Sequence, residues 1–333
     1  MTMTKSTDAG ISLTTNVYAE REMLKHAEPE IVLDKLAMAK RMPKNKKETI
    51  QFRRPIVFSA ADTPLVEGVT PSATQFRYET VSATLRQYGQ VVEITDVIED
   101  IAEDPVLQDA TMICGENIGR TREALNYGIV KAGTNVFYAN GSARTDVNTV
   151  LTLAKIRAVV RALRAQKGKK ITRILAPSTN YATRAVEAAY VAVTHSDLEN
   201  DIRNLAGFTP VAEYGSRMPI DPNEVGSVED VRFVTSADLA PWADGGGAAG
   251  STVLSSAGVS ADVYPIMFFS QDAWGTVALR GQGAVEPSII PVGQKTKDDP
   301  LAQRGYVGWK TWHVAVILNQ LWMARLEVAA AAL

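Results

Sequence analysis

The chain has 333 residues, 35 Lys and Arg against 37 Asp and Glu, and a formal net charge of −2, so no global field draws it to nucleic acid or to a membrane surface. Its one cysteine, Cys114, excludes an intramolecular disulfide or a cysteine-based zinc site and fits a reducing cytoplasm. The length allows a sizeable core in two parts, no apolar run approaches the ~20 residues that cross a bilayer, and Met1–Thr15 lacks the apolar centre of a signal peptide.

Asn16–Met42 reads as an amphipathic helix, bent or broken near Pro29. Val17, Leu24, Ile31 and Met38 recur every seven residues, and that stripe needs a surface, on its own domain or on a neighbouring subunit. Lys40, Arg41, Lys44, Lys46 and Lys47 then form a basic run, either a solvated hinge or a contact for a packaged polyanion.

Glu48–Ser59 alternates, with Ile50, Phe52, Ile56 and Phe58 on one face, and Pro55 marks it as an edge strand. Pro64, Gly68 and Pro71 punctuate a tip at Ala60–Thr74, and Gln75–Thr95 is a second strand-rich run. Extended, that run spans roughly 70 Å, whereas the radius of gyration of a globule this size is about 20 Å. Isolated two-stranded ribbons are marginal in water, so this arm needs other copies of the chain to cover it. The second strand also changes face after Tyr78, as a bulge or a change of partner would require.

Asp96–Asp104 carries five acidic residues, a helix start or, less simply, a metal site. The helix that follows runs to about Lys131, with Leu107, Ala110, Cys114, Ile118, Leu125 and Ile129 as its stripe. Beyond it come a helix at Thr152–Gln166, a strand at Ile171–Ala176, a helix at Ser178–Val193 and a short one around Asp197–Leu205. Strands are expected at Phe208–Tyr214, Val231–Thr235, Val263–Ser270, Thr276–Arg280 and Ile289–Val292, with a Gly-rich loop at Pro241–Ser260. Tyr306–Leu318 alternates Val307, Trp309, Thr311 and His313 against Tyr306, Gly308, Lys310 and Trp312, and Leu321–Val328 is a final strand. Strands and helices follow no βαβ rhythm, so the fold class is α+β rather than doubly wound.

The catalytic motifs fail on context. Gly245–Gly250 fits a dinucleotide fingerprint formally, but no strand precedes it and no helix follows, and the phosphate-loop lysine is missing. His26, His195 and His313 lack ligand spacing, and Ser178 and Ser216 lack a nucleophile elbow. No catalytic residue, metal ligand or cofactor site is assigned.

The order of parts resembles the major capsid proteins of tailed bacteriophages, with the Hong Kong 97-type capsid fold, and within them the N4-like branch. The resemblance is carried by Pro64-Leu65-Val66-Glu67-Gly68-Val69-Thr70-Pro71, by Val91-Val92-Glu93-Ile94-Thr95-Asp96, and by Asp299-Pro300-Leu301-Ala302-Gln303-Arg304-Gly305-Tyr306-Val307-Gly308-Trp309-Lys310. It implies an N-terminal arm (1–47), an extended β-hairpin loop (48–95), a spine helix of the peripheral domain (96–132), an axial domain (133–291) and C-terminal strands returning to the peripheral domain (292–333). It implies a structural protein that forms an icosahedral head in the host cytoplasm, with itself as partner in pentamers and hexamers and double-stranded DNA inside. Scaffold, portal and decoration proteins are expected partners, and no membrane. Phe52, Phe58, Leu65, Val66, Phe76, Tyr78, Leu24 and Ile31 are expected at intersubunit contacts, and Lys40, Arg41, Lys44, Lys46 and Lys47 are candidates to face DNA. Some members crosslink through a lysine on the extended loop, but Ser59–Phe76 contains none, so non-covalent contacts are expected. The alternatives are an encapsulin-like nanocompartment and, in another class, a cytosolic oligomeric enzyme using the Gly245–Gly250 loop.

Overall fold

The computed structural model describes residues 31–42, 48–56, 58–65, 67–101, 106–175, 183–215, 217–279, 286–293, 295 and 299–333. A 3-10 turn (Leu33–Leu36) leads into strand β1 (Met38–Met42), followed by the pair β2 (Thr49–Pro55) and β3 (Tyr78–Thr84), then β4 (Arg86–Thr95). Helices α1 (Asp96–Ile101) and α2 (Val106–Lys131) follow, then β5 (Val136–Tyr138), α3 (Leu153–Ala165), β6 (Ile171–Leu175), β7 (Thr183–Thr194) and α4 (Glu199–Arg203). The chain continues as β8 (Phe208–Pro210), β9 (Glu224–Val228), β10 (Val231–Thr235), β11 (Val263–Phe269), β12 (Trp274–Leu279), β13 (Glu286–Ile290), β14 (Arg304–Ile317) and β15 (Met323–Ala329).

Among the described residues these strands form three sheets: β1-β12-β14-β13 with β4 also on β14; β5-β15-β11-β7-β10-β9-β8 with β6 on β7; and the β2–β3 hairpin. Three parallel pairs, β1–β12, β10–β7 and β15–β5, sit among antiparallel ones, which makes the class mixed α+β.

The larger sheet is buried on both faces. Tyr264, Ile266 and Phe268 of β11 meet Ile156, Val159 and Leu163 of α3, while Met267 and Phe269 meet the opposite core with Leu33, Tyr127 and Val130. A strand covered on both sides reads as a continuous apolar run, which β11 is. Pro265 costs no ladder bond to β7, because that pairing covers only Met267, Phe268 and Phe269.

Helix α2 joins the two large sheets. At 1.5 Å per residue its 26 residues span about 39 Å. Its first half packs Ala110, Cys114 and Ile118 on Ile94, Val307 and Trp309 of β4 and β14. Its second half packs Tyr127 and Val130 on the larger sheet. Strand β4 runs close enough to β14 that a Cβ at Gly89 would stand 2.6 Å from the Trp309 carbonyl oxygen, so only glycine fits there.

Several expectations need correction. The helix expected at Ser178–Val193 is strand β7 from Thr183, and 176–182 lie outside the described residues. Tyr190–Thr194 is wedged between β10 and β11, and pairing with both neighbours overrides the helix-forming alanines. The helix expected over Asn16–Met42 ends otherwise: Leu33–Leu36 is a 3-10 turn and Met38–Met42 a strand parallel to β12, while 16–30 lie outside the described residues. Phe208–Tyr214 is strand only to Pro210, then a 3-10 turn. The stretch Tyr306–Val328 divides: β14 pairs with β4, but β15 pairs with β11 and β5 in the larger sheet. The partner change along the second arm strand falls at Leu85, where β3 on β2 gives way to β4 on β14, rather than after Tyr78.

Candidate assembly surface

The hairpin is anchored at one end and bare at the other. Its ladder runs from Thr49 opposite Thr84 to Pro55 opposite Tyr78, and the Ile56 N–H donates to the Arg77 carbonyl at 3.0 Å beyond it. Near the base, Phe52, Ala83 and Leu85 bury themselves with Met42 and Val277 of the neighbouring strands. Past the ladder no such cover exists among the described residues. Ile56, Phe58, Leu65, Val69, Phe76 and Tyr78 are all half-exposed or more, Leu65 at 78%.

Three aromatic rings hold one another there. Phe58 and Phe76 lie 6.2 Å apart between centroids, Phe76 and Tyr78 meet edge-on at 4.7 Å, and Arg53 stacks 4.7 Å from the Tyr78 ring. Clustered exposed rings of this kind mark a surface for another molecule. Of the residues expected at intersubunit contacts, Phe58, Leu65, Phe76 and Tyr78 are therefore accessible. Phe52 is a correction: it is 6% exposed and packed within its own chain, because β1 and β12 cover the base of the hairpin. Ile31 is half-buried beside the first turn, and Leu24 and Val66 lie outside the described residues.

The basic run is similarly divided. Lys40 lies in β1 with its Nζ 4.7 Å above the Phe52 ring, which places it at the hairpin base. The Arg41 backbone pairs with Ala278 in the same strand. Lys44, Lys46 and Lys47 lie outside the described residues.

Two buried polar clusters escaped the sequence reading. In the first, Glu123 of α2 accepts hydrogen bonds from the Leu33 N–H at 2.9 Å and the Val32 N–H at 3.3 Å. Beside it, Arg122 pairs with Asp34, and Asn126 donates to Asp34 at 3.4 Å. The Asn126 side-chain oxygen lies 2.8 Å from Nε2 of His313 on β14. Burial pushes the Glu123 carboxyl up to about 8, with the Asp34 charge adding to the rise and the two N–H groups opposing it. Burial pulls His313 down to about 4. The signal was present in the helix stripe: the apolar face of α2 continues from Ile118 through Arg122, Glu123 and Asn126 at three- and four-residue spacing.

In the second cluster, Glu327 of β15 takes both Arg144, at 2.8 and 2.9 Å, and Arg325, at 2.8 Å. Arg325 also donates to the carbonyls of Lys131 and Gly133, capping the end of α2. Both arginines and Lys131 stack on Trp242. These charges fasten α2 to the larger sheet.

The Gly245–Gly250 loop has no free cradle for a phosphate. Its amides already donate to carbonyls of the chain: Gly246 to Ala261 at 2.9 Å, Gly247 to Val147 at 2.9 Å and Ala249 to Val259 at 3.0 Å. A Cβ at Gly246 would come 2.2 Å from the Val147 carbonyl oxygen, so this glycine serves close packing. Asp96, first of the acidic run, opens helix α1, where a carboxylate is favoured by the helix dipole, and its side chain accepts the Val97 N–H at 2.8 Å.

A family model described as phage capsid protein matches residues 78–326, well over half of the chain. No curated protein matches it. Among solved structures, the capsid of Ralstonia phage GP4 is 12% identical, with 91% of this chain and 90% of that chain covered, at a TM-score of 0.64. The head of Helicobacter pylori bacteriophage KHP40 is 12% identical, covering 88% and 87%, at 0.57, and the mature capsid of bacteriophage PhiM1 is 10% identical, covering 90% and 87%, at 0.54. At these identities the likeness speaks for fold, here the mixed α+β fold of Hong Kong 97-like capsids. The chain belongs to the phage capsid protein family, and it is a structural subunit of the phage head shell rather than an enzyme.

Proposed function

We propose that this shell is the icosahedral head of an N4-like tailed phage, assembled in the host cytoplasm from pentamers and hexamers of this chain around double-stranded DNA. The observation that carries the reading is the hairpin, covered at Phe52 and Ala83 by its own chain and bare at Phe58, Phe76 and Tyr78. In this reading residues 48–95 form the extended loop that lies over an adjacent subunit. The long helix is the spine of a peripheral domain, and 133–291 form the axial domain near the symmetry axes. Leu24 and Ile31 of the N-terminal arm, 1–47, lie on a neighbour, while Leu33–Met42 packs in its own chain.

The clamp is non-covalent, by aromatic burial and β-contacts, since Ser59–Phe76 has no lysine. DNA is held without sequence preference through phosphate contacts, for which Lys40, Arg41, Lys44, Lys46 and Lys47 are candidates. Scaffold, portal and decoration proteins are further partners of the head.

The test is deletion of Leu65–Ser72. Soluble subunits that fail to close shells are expected, and normal shells would overturn the clamp. Nuclease-protected double-stranded DNA in particles of the intact chain supports genome packaging, whereas protein cargo without DNA would assign an encapsulin-like compartment instead.

A further inference from the structure

A cavity of about 240 Å³ lies where the hairpin meets the body of the chain. Phe52 and Val81 line it from the hairpin, and Met38, Leu318 and Trp322 from the strands behind. Val81, Met38, Leu318 and Trp322 are only partly buried, so the cavity can be entered. It exceeds the roughly 150 Å³ apolar cavity that accommodates a benzene ring.

Its rim is basic. Lys40, Arg53 and Arg54 stand there against Glu79 and Asp272. Both carboxylates have partners, Glu79 in Arg54 and Asp272 in Arg173 at 3.7 Å. Lys40 and Arg53 lie against the rings of Phe52 and Tyr78, and no carboxylate pairs with them among the described residues.

The hairpin tip has the complementary character. Between Ser59 and Thr74 the charged residues are Asp62 and Glu67, with no lysine or arginine. Both acids are exposed, and between them stands Leu65, 78% exposed, beyond the open end of the ladder and outside its own chain's cavity.

We propose that this cavity is the receptor for the hairpin tip of a second copy: Leu65 enters between Met38, Val81 and Trp322, while Asp62 and Glu67 meet Lys40 and Arg53. The contact rests on the reading of the hairpin as a clamp on an adjacent subunit, and it names where that clamp lands. It is head-to-tail, so every copy both gives a tip and receives one, and such a contact closes into a ring when the rotation between copies allows it. Charge draws the tip to the rim, and apolar burial holds it there.

The test uses two single-cysteine chains co-assembled into shells, Leu65→Cys and Met38→Cys, under mild oxidation. The native Cys114 is 2% exposed and contributes little background. A covalent dimer in mixed shells, absent from shells of either chain alone, is expected. Dimers from Leu65→Cys shells alone would mean that tips meet tips, and no dimer in closed mixed shells would place the tip elsewhere; either overturns the proposal. A charge swap covers the case in which a cysteine chain misfolds. Arg53→Glu or Glu67→Lys alone should raise the concentration needed for assembly about tenfold, and the two together should restore it. Two single losses that simply add would overturn the pairing. Deletion of Leu65–Ser72 separates the two levels: shells lost on deletion without the crosslink keep the clamp and reject this receptor, and shells retained on deletion reject both.

Discussion

The eight-stranded sheet and the β2–β3 hairpin use the same residue types to opposite ends. In the sheet, Tyr264, Phe233, Phe268 and Phe269 are closed off by the chain's own helices and strands. In the hairpin, among the described residues, Phe58, Phe76 and Tyr78 find only one another and Arg53. A chain that folded for its own sake would turn those rings inward, since burying a large side chain is worth about 1.5–3 kcal/mol. On the proposed reading, the sheet stabilises the subunit and the hairpin stabilises the assembly. Changes in the two regions should therefore separate in experiment.

The largest loss of subunit stability is expected at Glu327→Leu, which leaves Arg144 and Arg325 facing each other at the end of α2 without their shared carboxylate. A decrease of about 3–5 kcal/mol in urea unfolding is expected. Next comes Glu123→Ala, which strands the N–H groups of Val32 and Leu33 in a buried site. It should cost about 2–3 kcal/mol, and Glu123→Gln, which keeps an acceptor, distinctly less.

The same site gives a pH dependence. The Glu123 carboxyl is raised from 4.5 to about 8, so its contribution is fully present below about pH 4.5 and is lost as pH rises through about 8. Glu123→Gln should flatten that decline between about pH 4.5 and 8 in a series of melting curves. His313 works the other way: lowered from 6.5 to about 4, it contributes above about pH 6.5 and loses that contribution as pH falls through about 4. His313→Gln should weaken the opposing loss between about pH 6.5 and 4 in the same curves.

The smallest effect on the subunit, and the sharpest test of the contrast, is Phe76→Ser. Exposed at the tip, it should change unfolding free energy by no more than about 0.5 kcal/mol. Yet it should stop shells from closing, as measured by sedimentation. A large loss of subunit stability would erase the distinction between the two regions.

Much of the fold was legible because its signals are local. The 26-residue helix α2, the alternation of β14 and the apolar run of β11 each announce their type from periodicity alone. What was not legible depends on distant partners. Strand β7 reads as helix until β10 and β11 are placed on either side of it. Phe52 looks equivalent to Phe58 on an alternating strand, and only the position of β1 over the hairpin base makes one buried and the other bare. A polar residue on a stripe normally ends it, whereas here Asp34 arrives from 88 residues away for Arg122, His313 from 187 for Asn126, and the Val32 and Leu33 N–H groups for Glu123. The exposed rings were found because a ribbon that outgrows its own body is visible in sequence, whereas its receptor, assembled from β1, the hairpin and the turn after β14, is not.

The most direct measurement is an electron cryomicroscopy map of the shell formed by the intact chain, traced through residues 56–77. A closed shell with that segment lying on an adjacent subunit, Phe58, Phe76 and Tyr78 covered by it, is the expected result. A closed shell with the same segment folded back on its own chain, or a small fixed oligomer in place of a shell, would contradict it.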